Sequence, residues 1–71
     1  MEKILIDWLI QYTEVSAIDP DTKFSDLNFD IFDEAMTADF IQKTFDIDVL
    51  KKIGWFETIK DLIIMLKQTQ D

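Results

Sequence analysis

A chain with one glycine, Gly54, and one proline, Pro20, in 71 residues has few places where its backbone can reverse tightly. Hairpins and sandwiches need such residues at short intervals, so turn chemistry argues against an all-β fold. The chain also lacks cysteine and histidine. No disulfide or thiolate metal site can brace the core, and the commonest general base and metal ligand is missing. Apolar packing has to hold the fold, and the 48% apolar content is that of a globular chain rather than a disordered tail. At this length the expectation is a single domain over residues 1–71 with a thin core.

Helical periodicity fills the remaining sequence. From about Lys3 to Tyr12 or Glu14, Leu5, Trp8, Leu9 and Tyr12 recur on one stripe, which Ile4, Ile6 and Ile10 widen. A polar connection follows from Val15 to Asp26. Asp19-Pro20-Asp21 is a turn signal, and Ile18, Phe24 and Leu27 are apolar anchors that make this an ordered loop. A second helix is expected from near Asp30, as N-cap, to near Phe45, with Asp46-Ile47-Asp48 ending it. Val49 to Ile53 reads as a short third helix with Gly54 as its C-cap. Thr58 caps a fourth, with Asp61 three residues on as a capping box, Phe56 as a staple, and Ile59, Leu62, Ile63 and Leu66 as the buried stripe. Trp8 and Trp55 read as core and hinge anchors. The fold class is all-α, a small four-helix bundle.

Net charge is −8, and all seven cations are lysines. Such a chain repels phosphate backbones and anionic membranes, so neither nucleic acid nor membrane is expected as a partner. No apolar run approaches a membrane span or a signal-peptide core, which makes the cytoplasm the expected location. Without His, Cys or Arg, catalysis is not expected. The acidic run Asp19, Asp21, Asp26, Asp30, Asp33 and Glu34 lacks the sixth-position glycine and closing glutamate of a calcium loop. It reads as turn caps and solvated charge, so no metal is expected.

On the second helix, Ile31, Ala35, Ala38, Ile41 and Phe45 fall within an arc of roughly 120° and form the expected core face. Small Ala35 and Ala38 could leave room for a non-covalently bound acyl chain. Phe32, Met36 and Phe40 make a second stripe, with Asp39 and Lys43 among them. This stripe is either further core under the long loop or an exposed patch that binds a protein. Ile31, at the first helical position, should lie near the surface and would enlarge such a patch.

The stretch Ile18-Asp19-Pro20-Asp21-Thr22-Lys23-Phe24-Ser25-Asp26-Leu27-Asn28-Phe29-Asp30 resembles the loop of acyl carrier proteins. Phe45-Asp46-Ile47-Asp48-Val49 resembles the family's exit from its second helix, and Phe56-Glu57-Thr58-Ile59-Lys60-Asp61-Leu62 its entry to the last. The resemblance spans nearly the whole chain. It implies a four-helix bundle of acyl-carrier-protein type that carries acyl groups on 4′-phosphopantetheine, attached to the Ser of an Asp-Ser-Leu motif. Here Asp30 is followed by Ile31 and Phe32. Ile31 offers no hydroxyl for the phosphodiester, so no cofactor is expected. Asn28 replaces the family's glycine and tolerates left-handed geometry. Asp30 and Asp33 match acidic positions of the family's partner-facing flank, while Met36, Gln42 and Lys43 take positions commonly Glu, and Asp39 one commonly Met.

The expectation is a non-enzymatic module acting through Asp30, Ile31, Phe32, Asp33, Met36, Asp39, Phe40 and Lys43. Its partner would be an enzyme of fatty-acid, polyketide or related biosynthesis, or a second copy of itself. The alternative is a genuine carrier with a displaced serine, Ser25 or Ser16.

Overall fold

The computed structural model of the chain describes residues 1–49 and 56–70. Among them are three α-helices, α1 (Glu2–Thr13), α2 (Ile31–Phe45) and α3 (Ile59–Gln70), and a 3₁₀ helix, Phe24–Leu27, within the long connection. The described part is all-α, with one isolated antiparallel bridge between Lys23 and Thr58. The short helix expected over Val49–Ile53, its Gly54 cap and the Trp55 anchor fall outside the described residues, apart from Val49 itself, which is buried.

Each helix ends where its sequence stops favouring it. α1 closes at Glu14 in left-handed geometry (φ 61°), whose N–H donates to the Ile10 carbonyl. α2 opens at Asp30 and closes at Asp46, again left-handed (φ 58°), with the Gln42 side chain donating to the Asp46 carboxylate at 3.1 Å. Asn28 ends the 3₁₀ turn at φ 55°, the conformation expected where the resembling family has glycine.

The long connection is strapped to the start of α3. Thr58 and Asp61 exchange hydrogen bonds at 3.2 Å, the capping box read from their spacing. The next donors are taken by the loop: Ile59 N–H donates to the Thr22 carbonyl at 3.1 Å and Lys60 N–H to the Pro20 carbonyl at 2.8 Å. Phe24 N–H donates to the Glu57 carbonyl. A helix start normally leaves its first N–H groups unpartnered. Here the four from Thr58 to Asp61 are all bonded, half of them by a segment more than thirty residues upstream. The turn that presents those carbonyls is fixed by Asp19, whose carboxylate accepts from the Asp21 N–H and the Thr22 hydroxyl.

The core joins Leu5 and Leu9 of α1, Ile18 and Phe24 of the loop, Ala38 and Ile41 of α2, Ile47 and Val49, and Ile59, Leu62, Ile63 and Leu66 of α3. The α3 stripe is buried as expected, while Ile4 at the edge of the α1 stripe is half exposed. On α2, Ile31 is 73% exposed, as its first helical position led us to expect although it shares the core arc. The core face departs from expectation in that Ala35 is exposed while Thr37 is fully buried beside Ala38 and Ile41. Thr37 enters the core because its hydroxyl donates to the Asp33 carbonyl at 2.8 Å, which cancels the cost of burying a polar atom. Ala35 faces water, so of the expected pair of small residues only Ala38 lies inside the bundle.

Candidate functional site

The site is the outward face of the first half of α2. Its start is a full capping box. The Asp30 carboxylate accepts the Asp33 N–H at 3.0 Å, and the Asp33 carboxylate accepts the Asp30 N–H at 3.0 Å. Asp33 and Glu34 sit in the first turn, where the helix dipole favours negative charge. The two residues enclosed by this box, Ile31 and Phe32, are 73% and 76% exposed.

At about 100° per residue, Phe32 lies about 180° and Met36 about 140° around the helix from buried Ile41. Both are exposed, Met36 by 51%. Exposure takes these two out of the core: they point away from the bundle and the loop does not cover them. Ala35, also exposed, falls between Ile31 and Phe32 around the helix and joins them in one apolar strip. Phe40 divides from this group. It is half-buried and stacks on Trp8 of α1, ring centres 4.7 Å apart at 13°. It therefore belongs to the α1–α2 contact more than to the patch. Asp39 and Lys43 remain on the outer face as an i, i+4 ion pair of 3.0 Å, which at that exposure contributes little to stability.

One residue of this neighbourhood was legible in the sequence only as an apolar stripe position. The Tyr12 hydroxyl donates to the second carboxylate oxygen of Asp33 at 2.7 Å. The Tyr12 ring also stacks on Trp8 (4.8 Å, 10°) and meets Phe29 edge-on. A tyrosine on a half-buried stripe needs a partner for its hydroxyl, and that need is the signal available from sequence. The Asp33 carboxyl is held below the usual aspartate range, first by the Asp30 backbone N–H and then by the Tyr12 hydroxyl. The same Tyr12–Asp33 bond raises Tyr12, because ionising the phenol would break it and set two anions together.

Among the described residues, no three acidic, His or Cys side chains come together to hold a metal ion. Nor, among those residues, is any helix long and apolar enough to cross a membrane. Ser25 is exposed in the 3₁₀ turn, and Ser16 is exposed in the loop. No family model, curated protein or solved structure matches the chain.

Proposed function

We propose that this chain is an acyl-carrier-like helical module that acts by protein–protein contact through the start of α2, without a 4′-phosphopantetheine arm. One observation carries the reading: the first turn of α2 presents two hydrocarbon side chains, Ile31 and Phe32, to water from inside a fully formed cap. A solvent-facing isoleucine in the place where the resembling family has its attachment serine cannot form a phosphodiester. Contiguous exposed Ile31, Phe32 and Met36 are what a docking surface needs and what a free monomer seldom keeps.

Charge selects the kind of partner. Asp30, Asp33 and Glu34 rim the apolar strip, and Lys43, further along the same helix, is already paired with Asp39. With a net charge of −8, a second copy would be repelled. A partner with an apolar recess flanked by lysine or arginine fits best, and an enzyme of fatty-acid, polyketide or related assembly is the proposed class.

Intact mass after incubation with a phosphopantetheinyl transferase and coenzyme A tests the first half of this reading. The expected result is no change. A gain on Ser25 or Ser16 overturns it in favour of a true carrier. The second half is tested with Phe32→Glu combined with Met36→Glu, read by oligomeric state and by cross-linking to biosynthetic enzymes. If both readouts match the unaltered chain, the docking face is refuted.

A further inference from the structure

The docking strip sits on the part of a helix that ordinarily frays. First-turn residues have few packing contacts, and a capping box in water contributes only modestly. Here that box is tied to a second element. Asp33 uses one carboxylate oxygen for the Asp30 N–H and the other for the Tyr12 hydroxyl, so it cannot rotate away without losing both bonds. Tyr12 is itself restrained, its ring stacked on Trp8 and set edge-on to Phe29. Trp8 in turn lies against Phe40, two turns further along α2 than Asp33. α1 thus grips α2 at two heights, through rings at Phe40 and through a hydroxyl at Asp33.

The hydroxyl is separable from the ring. Phenylalanine would fill the same stack, so the stack alone does not account for tyrosine at position 12. What the oxygen adds is a fixed link to the cap that encloses Ile31 and Phe32.

We propose that Tyr12 is a positioning residue for the docking strip: through Asp33 it holds the Asp30–Asp33 cap closed and so presents Ile31 and Phe32 in one preset arrangement. This rests on the reading of that strip as a docking face. Its advantage is that a strip ordered in advance loses less conformational freedom when a partner lands on it.

The test is amide hydrogen exchange and side-chain order parameters by NMR on the full chain, comparing wild type with Tyr12→Phe. Amides of the first turn of α2 should exchange about threefold faster or more, as expected for local opening of one capped turn. The order parameters of the Ile31 methyl and Phe32 ring should fall. α3 amides should be unchanged, and Trp8 emission should stay as it is because the ring stack survives. In an Asp33→Ala background, where the cap is already lost, Tyr12→Phe should add nothing to first-turn exchange. Unchanged first-turn exchange in Tyr12→Phe, or an increase shared equally with α3, overturns the positioning role while leaving the docking face intact. A loosened first turn, together with a Phe32→Glu variant that cross-links to the same enzymes as wild type, refutes the docking face and this role with it.

Discussion

Phe32 and Ile41 are both large apolar residues on α2, and the structure gives them opposite fates, so truncating each to alanine should separate them sharply. With 76% of Phe32 exposed, about a quarter of the ~200 Å² that such a side chain can bury is covered; ~50 Å² at ~25 cal/mol per Å² sets a ceiling near 1 kcal/mol. Alanine's better helix propensity returns a few tenths of that, so Phe32→Ala should cost about 0.5–1 kcal/mol. Ile41 is fully buried, and Ile41→Ala removes those contacts and leaves a cavity, at about 2–5 kcal/mol. A domain of this size has about 4–10 kcal/mol in hand, so the second change consumes a large share of it. Urea denaturation followed by far-UV circular dichroism reads both. At about 4–8 °C per kcal/mol, thermal midpoints should fall by a few degrees for Phe32→Ala and by more than about 10 °C for Ile41→Ala. If Phe32→Ala costs as much as Ile41→Ala at every protein concentration, Phe32 is core and the docking face is refuted. If that cost appears only at high concentration, the chain covers the strip with its own twin, against the charge argument.

Three further outcomes follow from the same geometry. Thr58→Ala removes one half of the cap on α3 and should cost about 1 kcal/mol in urea denaturation, as N-cap deletions do. The pH dependence of stability has a defined sign at each end. Asp33 is lowered, so its contribution is present above the ordinary aspartate value of 3.8 and is lost as pH falls through its lower folded value; Tyr12 is raised, so its contribution is present below 10.0 and lost as pH rises through its higher folded value. Tyr12→Phe should shrink both limbs, leaving at alkaline pH the part that Lys3, raised by Asp7, still contributes, seen by titrating thermal midpoints of both proteins. Finally, Ile31→Ser restores a hydroxyl at the mouth of α2, and incubation with a phosphopantetheinyl transferase and coenzyme A should then add one phosphopantetheinyl group by intact mass, where the unaltered chain gains none. An unloaded Ile31→Ser chain would separate it from the carrier scaffold it resembles.

Helix positions and caps were legible from local pattern, because they depend on residues within a turn or two of each other. The α3 stripe of Ile59, Leu62, Ile63 and Leu66, the N-cap at Asp30 and the box at Thr58–Asp61 are short-range relations that periodicity and side-chain chemistry specify, while the return bond from Asp33 that completes a box at Asp30 was not read from the sequence. The left-handed Asn28 was legible through the resemblance, which puts a glycine at that position. The hydrocarbon at position 31, on which the proposal about attachment rests, is in the sequence outright.

Tertiary structure decided the rotation of α2 about its own axis. Hydropathy alone favours Ile31 and Ala35 over Thr37 for the core, but a threonine whose hydroxyl bonds the preceding turn carries no polar penalty, and packing then turned Phe32 and Met36 outward. It also decided what sequence distance hides: the Pro20 and Thr22 carbonyls on the start of α3, and the Tyr12 hydroxyl on Asp33. Those partners lie twenty to forty residues apart, beyond the reach of any local pattern, and they meet only because the bundle closes.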